Sequence, residues 1–92
     1  MNLSCEATLL IENELGLHAR AATVFVRVAS KYESTVYITK DGRQVNGKSI
    51  MGVLTLVASK GTEIQLRADG PDAEYAIAAL SQLVRDKFGE ER

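Results

Sequence analysis

Apolar and polar residues alternate along the first part of the chain, a pattern with the period of a β-strand. The apolar members of this series are Leu3, Cys5, Ala7, Leu9 and Ile11. Polar residues fill the positions between them, and only Leu10 interrupts the polar face. Because successive side chains of a strand point to opposite faces, the pattern predicts a half-buried strand over residues 3–11. A loop follows it, from Glu12 to Gly16.

Three later segments repeat apolar residues at the spacing of an amphipathic helix. The first begins at Ala19 and runs to about Ser30, with apolar positions at Ala22, Phe25, Val26 and Ala29. The second follows Ser49, a residue type that caps helices, and has apolar positions at Ile50, Val53, Leu54 and Val57. The third follows Pro71 and the expected cap Asp72, and its apolar positions are Ala73, Ala76, Ile77, Leu80, Leu83, Val84 and Phe88.

Three short strands are predicted between these helices. Thr35–Thr39 is rich in β-branched residues, and Asp41-Gly42 favours a tight hairpin turn into a returning strand over 44–46. After Gly61, apolar and polar residues again alternate over 63–68. The order β-α-β-β-α-β-α predicts an α/β (α+β) open-faced two-layer sandwich, in which three helices cover one face of a four-stranded antiparallel sheet.

Length and charge limit the class of protein. A chain of 92 residues predicts a single domain over 1–92. Eleven basic and twelve acidic residues give a net charge of −1, which argues against binding to nucleic acid or to an anionic membrane. The longest apolar-rich stretch, Ile50–Ala58, is too short to insert into a bilayer.

The N-terminal residues and the single cysteine indicate a cytoplasmic protein. Met1–Glu6 lacks the basic and apolar regions of a signal peptide. Cys5 is the only cysteine, so no intramolecular disulfide forms and a reducing compartment is expected. We interpret Cys5 as a small apolar strand residue rather than a reactive thiol.

The only histidine, His18, is the main candidate for chemistry, since the sequence has no metal-ligand cluster, phosphate-binding glycine loop or dinucleotide fingerprint and predicts no cofactor. Gly16 permits a turn that places His18 at the N-cap of the first helix, where the amides of Ala19, Arg20 and Ala21 are unpaired. The amides, the helix dipole and the Arg20 guanidinium suit an anion.

Three interpretations of His18 remain open at this point. It is a surface or capping residue without a chemical role, it helps to bind an anion, or its neutral ring is the nucleophile that receives a phosphoryl group. We expect the dipole and Arg20 to disfavour the imidazolium, and the small side chains of Ala19, Ala21 and Ala22 to leave the approach open.

Ser49 raises a similar question at the second helix. It serves there as a helix cap, or its hydroxyl also accepts a phosphate, which a helix N-terminus tolerates. Met51 lies off the apolar stripe and is either an exposed docking residue or partly buried.

Together these residues resemble the HPr family, the histidine phosphocarrier proteins of the bacterial phosphoenolpyruvate-dependent phosphotransferase system. Gly16-Leu17-His18-Ala19-Arg20 resembles the active-site signature, and Lys48-Ser49-Ile50-Met51-Gly52-Val53 resembles the regulatory-serine segment. The resemblance covers nearly the whole chain and implies the same fold of four strands and three helices.

The resemblance also implies a phosphoryl relay rather than an enzyme. His18 would accept a phosphoryl group on Nδ1 from the upstream enzyme, which phosphoenolpyruvate charges, and pass it to a downstream sugar-specific or regulatory phosphoacceptor domain. Ala19, Arg20 and Ala21 would bind the phosphoryl group, and a dedicated serine kinase/phosphorylase would act on Ser49. The implied docking residues, on an expected monomer, are Ala19, Arg20, Thr23, Arg27, Ile50, Met51 and Leu54.

Two positions depart from the usual family pattern. Ala21 stands where proline is usual, which we expect to loosen the turn slightly without abolishing phosphotransfer. Leu15 stands where sugar-pathway members often carry a small polar residue, so that 13–16 resembles nitrogen-related branches while the Ser49 segment resembles the kinase-regulated branch.

Two other functions compete with the relay. One is a regulatory interaction module that is controlled by phosphorylation of Ser49. The other is a stand-alone enzyme with His18 as general base, which is disfavoured because the sequence shows no second catalytic group.

Overall fold

The computed structural model describes residues 3–92, and within them four strands form one antiparallel sheet. The strands are β1 (Ser4–Leu10), β2 (Thr35–Lys40), β3 (Arg43–Asn46) and β4 (Glu63–Asp69), and their order in the sheet is β1-β4-β2-β3. The helices are α1 (Ala19–Ala29), α2 (Ile50–Leu54) and α3 (Ala73–Arg85), and a 3-10 turn (Lys87–Gly89) follows α3. The predicted fold class and element order are confirmed.

The alternating patterns place one face of the sheet in the core. Leu66 of β4 is fully buried and lies opposite Ala7 of β1 on one side and Ile38 of β2 on the other. The helices cover this face, and Phe25 of α1 is also fully buried. The opposite face carries polar side chains, as the sequence predicts for an open-faced sheet.

The hairpin turn between β2 and β3 lies where the sequence predicts it. Asp41 and Gly42 have φ angles of 49° and 79°, so they form the predicted two-residue hairpin turn between the paired residues Lys40 and Arg43.

Half-buried Cys5 packs against the core, as expected for a small apolar strand residue, whereas Leu3 at the start of the apolar series is exposed. The prediction about a signal peptide concerns Met1–Glu6, and residues 1 and 2 of this segment lie outside the described residues.

The second helix is shorter than its apolar pattern predicts. It ends at Leu54, and Val57 is 73% exposed, while its neighbour Leu56 is buried. Val57 has a φ of 50°, a left-handed conformation that is rare for a β-branched residue. Lys40 Nζ donates hydrogen bonds of 3.1 Å to the carbonyls of Leu56 and Val57, in the segment that follows the helix.

Asp72 has a different role from the one that its position predicts. Its side chain does not cap α3. It accepts hydrogen bonds of 2.9 Å from the amides of Glu33 and Ser34, and one of 2.5 Å from the Ser34 hydroxyl. These bonds, the Ser34 hydroxyl first, hold the pKa of Asp72 below its ordinary value of 3.8. Asp72 therefore joins the start of α3 to the loop before β2.

The chain turns sharply after α3. Lys87, Phe88 and Gly89 have successive φ angles of 56°, 57° and 81°, all left-handed. Phe88, predicted as the last residue of the α3 stripe, is buried but lies in this turn, beyond the end of the helix. The Glu14 amide donates a 2.8 Å hydrogen bond to the backbone oxygen of Arg92, so residues 90–92 lie beside the loop that precedes α1.

Candidate functional site

His18 occupies the N-cap position of α1, as predicted. Its backbone is extended, its side chain makes no capping hydrogen bond, and 26% of that side chain is exposed. The preceding turn depends on Gly16, which has a φ of 64° and lies so near Ala58 that a Cβ atom would be 2.4 Å from the Ala58 carbonyl oxygen. The next amide, of buried Leu17, donates a 2.8 Å hydrogen bond to the same carbonyl. Both Gly16 and Leu17 therefore contact Ala58, and these contacts fix the turn that places the imidazole at the start of α1.

Unpaired amides lie beside the imidazole. The first helical amide to find a partner is that of Ala22, which donates 2.8 Å to the His18 carbonyl. The amides of Ala19, Arg20 and Ala21 therefore have no partner within residues 3–92. Three donors and the positive end of the helix dipole are free for an anion.

The side chains around these amides agree only in part with the predictions. Arg20 is exposed and lines the same open depression as His18, as expected for a cation that contacts a phosphoryl group. The approach was expected to be open because Ala19, Ala21 and Ala22 are small. Only Ala19 is exposed, since the methyl groups of Ala21 and Ala22 are buried in the core.

The C-terminal segment contributes a carboxylate that the sequence interpretation missed. Oε2 of Glu90 is hydrogen-bonded to Nε2 of His18. Oε1 of the same carboxylate accepts a 2.9 Å hydrogen bond from Nδ2 of Asn13, and that amide also donates 2.9 Å to the Gly16 carbonyl. Asn13 is fully buried and the Glu90 side chain is 12% exposed.

The protonation of Glu90 follows from these contacts. Burial opposes its ionisation, but hydrogen bonds from Asn13 and His18 outweigh this effect and the pKa of Glu90 lies below its ordinary value of 4.5. The ionised carboxylate only accepts hydrogen bonds, so Nε2 of His18 carries the hydrogen. Nδ1 has no hydrogen-bond partner among the described residues. Its lone pair is therefore available in the neutral ring.

Exposed apolar side chains border the imidazole on the other side. A shallow groove next to His18 is lined by Leu15, Leu17, Leu54, Val57, Ala58 and Ser59. Leu15 is 70% exposed. Met51 of α2 is 75% exposed and so is not partly buried, and its docking role stays a prediction. Leu15 and Val57 were not among the predicted docking residues, although an exposed leucine in a polar loop is itself a signal.

The remaining predicted docking residues lie on α1 and α2. Arg27 is exposed, and Ile50 is 42% exposed. Thr23 is half-buried, and its hydroxyl donates a 2.8 Å hydrogen bond to the Ala19 carbonyl of the same helix. Leu54 is half-buried beside the groove.

Ser49 is the N-cap of α2, as predicted. Its Oγ accepts a 3.0 Å hydrogen bond from the Gly52 amide. Ser49 is half-buried, and its amide donates a 3.1 Å hydrogen bond to the carbonyl of Asn46 at the end of β3. The capping role is therefore present, and a phosphorylation role stays a prediction.

Residues 3–92 contain no group of three or more histidine, cysteine, aspartate or glutamate side chains placed to hold a metal ion. No helix in the described part of the chain has the length and apolar character needed to cross a bilayer.

Comparison with known proteins agrees with this geometry. Residues 5–86 match the family model described as the PTS HPr component phosphorylation site. The phosphocarrier protein HPr of Neisseria meningitidis is 51% identical over 80 residues, which are 87% of this chain and 90% of that protein.

Solved structures give the same result. An HPr from Thermoanaerobacter tengcongensis is 49% identical, covers 96% of this chain and 99% of its own, and superposes with a TM-score of 0.92. A structure described as the HPr dimer of the same organism has a TM-score of 0.76, with 91% of this chain and 97% of that chain covered at 49% identity.

Proposed function

The chain belongs to the HPr family of phosphocarrier proteins, and from this premise we propose that Nδ1 of His18 is the atom that carries the phosphoryl group. A phosphocarrier transfers a group and is not an enzyme in its own right. The observation that supports the proposal best is the free Nδ1 of His18 at the start of α1, beside three unpaired amides and the guanidinium of Arg20.

The transfer needs no further catalytic group. The Nδ1 lone pair attacks the phosphorus atom, the phosphorus–nitrogen bond to the donor histidine breaks, and its electron pair returns to the donor ring. Phosphoryl transfer depends mainly on positioning and on charge stabilisation. The amides of Ala19, Arg20 and Ala21 and the Arg20 side chain supply hydrogen-bond donors for the phosphoryl oxygens.

The partners in this proposal are an upstream phosphoenolpyruvate-charged phosphotransferase enzyme and downstream phosphoacceptor domains. They would dock on α1 and α2 through Thr23, Arg27, Ile50, Met51 and Leu54. The exposed Leu15 and Val57 extend the apolar area to the edge of the imidazole. We place the protein in the cytoplasm as one domain and as a monomer, and sugar-specific and nitrogen-related acceptors are alternative destinations.

Ser49 provides a site for regulation in the same proposal. A phosphate on Oγ would lie at the N-terminus of α2, where negative charge is favourable, and next to the exposed Ile50 and Met51. A serine kinase/phosphorylase would then change partner docking without touching His18. The competing interpretation, that Ser49 phosphorylation is the main function, predicts that His18 is dispensable.

The experiment is incubation with phosphoenolpyruvate and the upstream enzyme, followed by intact-mass measurement. We expect one acid-labile phosphoryl group, lost in His18→Ala and retained in Ser49→Ala. An unmodified wild-type chain would overturn the carrier proposal.

A parallel incubation with ATP and the kinase tests the regulatory site. It should give an acid-stable adduct that Ser49→Ala abolishes and His18→Ala retains. Persistence of the adduct in Ser49→Ala would move the regulatory site elsewhere.

A further inference from the structure

The geometry points to Glu90 as the residue that positions His18 for phosphoryl transfer, by holding the ring in the tautomer whose Nδ1 lone pair is free. This inference rests on the proposed carrier function, because it deepens the chemistry of the same histidine. Glu90 does not touch the phosphoryl group and acts through the ring.

Both oxygens of the Glu90 carboxylate are engaged by residues of the active-site turn. Oε2 holds Nε2 of His18 and Oε1 holds the side-chain amide of Asn13. That amide also binds the carbonyl of Gly16, in the turn that positions His18. The carboxylate is therefore fixed to the same turn as the imidazole, which limits the rotation of both side chains.

A strained backbone turn brings Glu90 to the imidazole. Three consecutive left-handed residues precede it, and for Lys87 and Phe88 this conformation costs about 1–2 kcal/mol each. Burial of the Phe88 ring and the hydrogen bond from the Glu14 amide to Arg92 hold the turn in place. Strained backbone of this kind persists only where surrounding contacts determine it.

The hydrogen bond between Glu90 and Nε2 determines which ring nitrogen can act as the nucleophile. A neutral imidazole has one N–H, and a carboxylate that accepts from Nε2 stabilises the tautomer in which Nδ1 is unprotonated. When Nδ1 bonds to phosphorus, the ring gains positive charge while the Nε2 proton stays in place beside the carboxylate. When the group is passed on, the electron pair of the phosphorus–nitrogen bond returns to Nδ1 and the ring is neutral again. No net proton transfer is needed in either direction.

Glu90→Gln is the sharpest test, because it keeps the shape and reverses the hydrogen bond. Because Asn13 Nδ2 donates to the position of Oε1, the glutamine oxygen faces Asn13 and the glutamine NH₂ group donates to Nε2, which favours a hydrogen on Nδ1. We expect the ¹⁵N resonances of the imidazole to show the Nε2–H tautomer in the wild type and a shift towards Nδ1–H in Glu90→Gln. In Glu90→Ala, where the ring loses its partner, both tautomers should be populated.

The kinetic consequence is measured with the upstream enzyme. For Glu90→Gln we expect kcat for phosphorylation to fall about tenfold or more, since the orienting carboxylate of hydrolytic triads contributes at least this much. KM should stay unchanged, because the docking residues are intact. Glu74→Gln, which changes an exposed glutamate of α3 outside the depression around His18, is the matched control and should behave like the wild type.

Two outcomes overturn the inference. One is a Glu90→Gln ring that keeps the Nε2–H tautomer, and the other is a wild-type kcat in a Glu90→Gln chain that unfolds at the same urea concentration as the wild type. The tautomer is measured without a phosphoryl donor. A wild-type chain that is not phosphorylated would therefore refute the carrier function while the tautomer still reports on Glu90.

Discussion

Nδ2 of Asn13 and Oε1 of Glu90 lie 2.9 Å apart although 77 positions separate the two residues in the chain. This hydrogen bond joins the loop before α1 to the segment after α3. His18 follows this loop in the chain, and its imidazole is hydrogen-bonded to the same carboxylate. The environment of the imidazole therefore depends on both ends of the molecule.

Gly16 should be the least replaceable residue of the active-site turn. Gly16→Ala combines a left-handed backbone, which costs about 1–2 kcal/mol, with a contact at 2.4 Å to a backbone oxygen. We expect a loss of more than ~2 kcal/mol in urea unfolding together with a slower phosphorylation of His18. Gly42→Ala is the control, since its φ is also positive but its Cβ would meet nothing within 4 Å. Equal losses in the two variants would contradict the steric explanation.

Arg20 and Arg27 should affect different kinetic constants. Arg20→Ala removes a cation beside the transferring group, and we expect kcat for phosphorylation to fall about a hundredfold with little change in KM. Arg27→Ala removes an exposed charge two helical turns away and should raise KM while leaving kcat close to the wild-type value. Stopped-flow phosphorylation at varied enzyme concentration separates the two constants. A fall in kcat of the same size for both variants would show that Arg20 has no special role.

Val57 should combine backbone strain with partner docking. Val57→Gly relieves a left-handed β-branched residue but increases the freedom of the unfolded chain, and we expect a net gain of about 0.5–1 kcal/mol in urea unfolding. The same change removes an exposed apolar side chain beside His18, so KM for the upstream enzyme should rise. Tyr75→Ala, which removes an equally exposed side chain from α3, should leave KM unchanged. A more stable variant with unaltered KM would exclude Val57 from the docking surface.

Asp72 should make the stability of the fold dependent on pH. Its pKa in the folded chain is lower than its ordinary value, so its contribution is complete above about pH 4 and is lost as the pH falls further through the folded pKa. Asp72→Asn lacks this contribution. The difference in unfolding free energy between the wild type and Asp72→Asn should therefore be largest near neutral pH and shrink in acid. Glu74→Gln, on the exposed side of the same helix, is the control. A difference that stays constant from pH 7 to strongly acidic conditions would rule out the charge of Asp72 as the cause.

Local sequence signals were enough for most elements of the fold. The alternation in β4 and the helical spacing in α1 depend on which face of one element is buried, and such a pattern is visible within a few residues. The hairpin at Asp41-Gly42 and the cap at Ser49 are local in the same sense, because the residues that make them lie within three positions of each other. Helical spacing failed at Val57, because the backbone leaves the helix at Leu54 while the apolar pattern continues.

The same distinction between local signals and long-range contacts applies to the candidate site. The sequence by itself determined that His18 begins a helix, after a glycine that permits the turn and two residues before Arg20, since helix caps and turns are set by neighbouring residues. Only the tertiary structure decided which ring nitrogen is free, because Glu90 reaches Nε2 through the turn after α3 and is held there by a buried asparagine. Gly89 permits a left-handed turn, but it does not say which residue the turn brings Glu90 to. Contacts between distant segments depend on how all the layers pack together, and no short pattern in the chain encodes them.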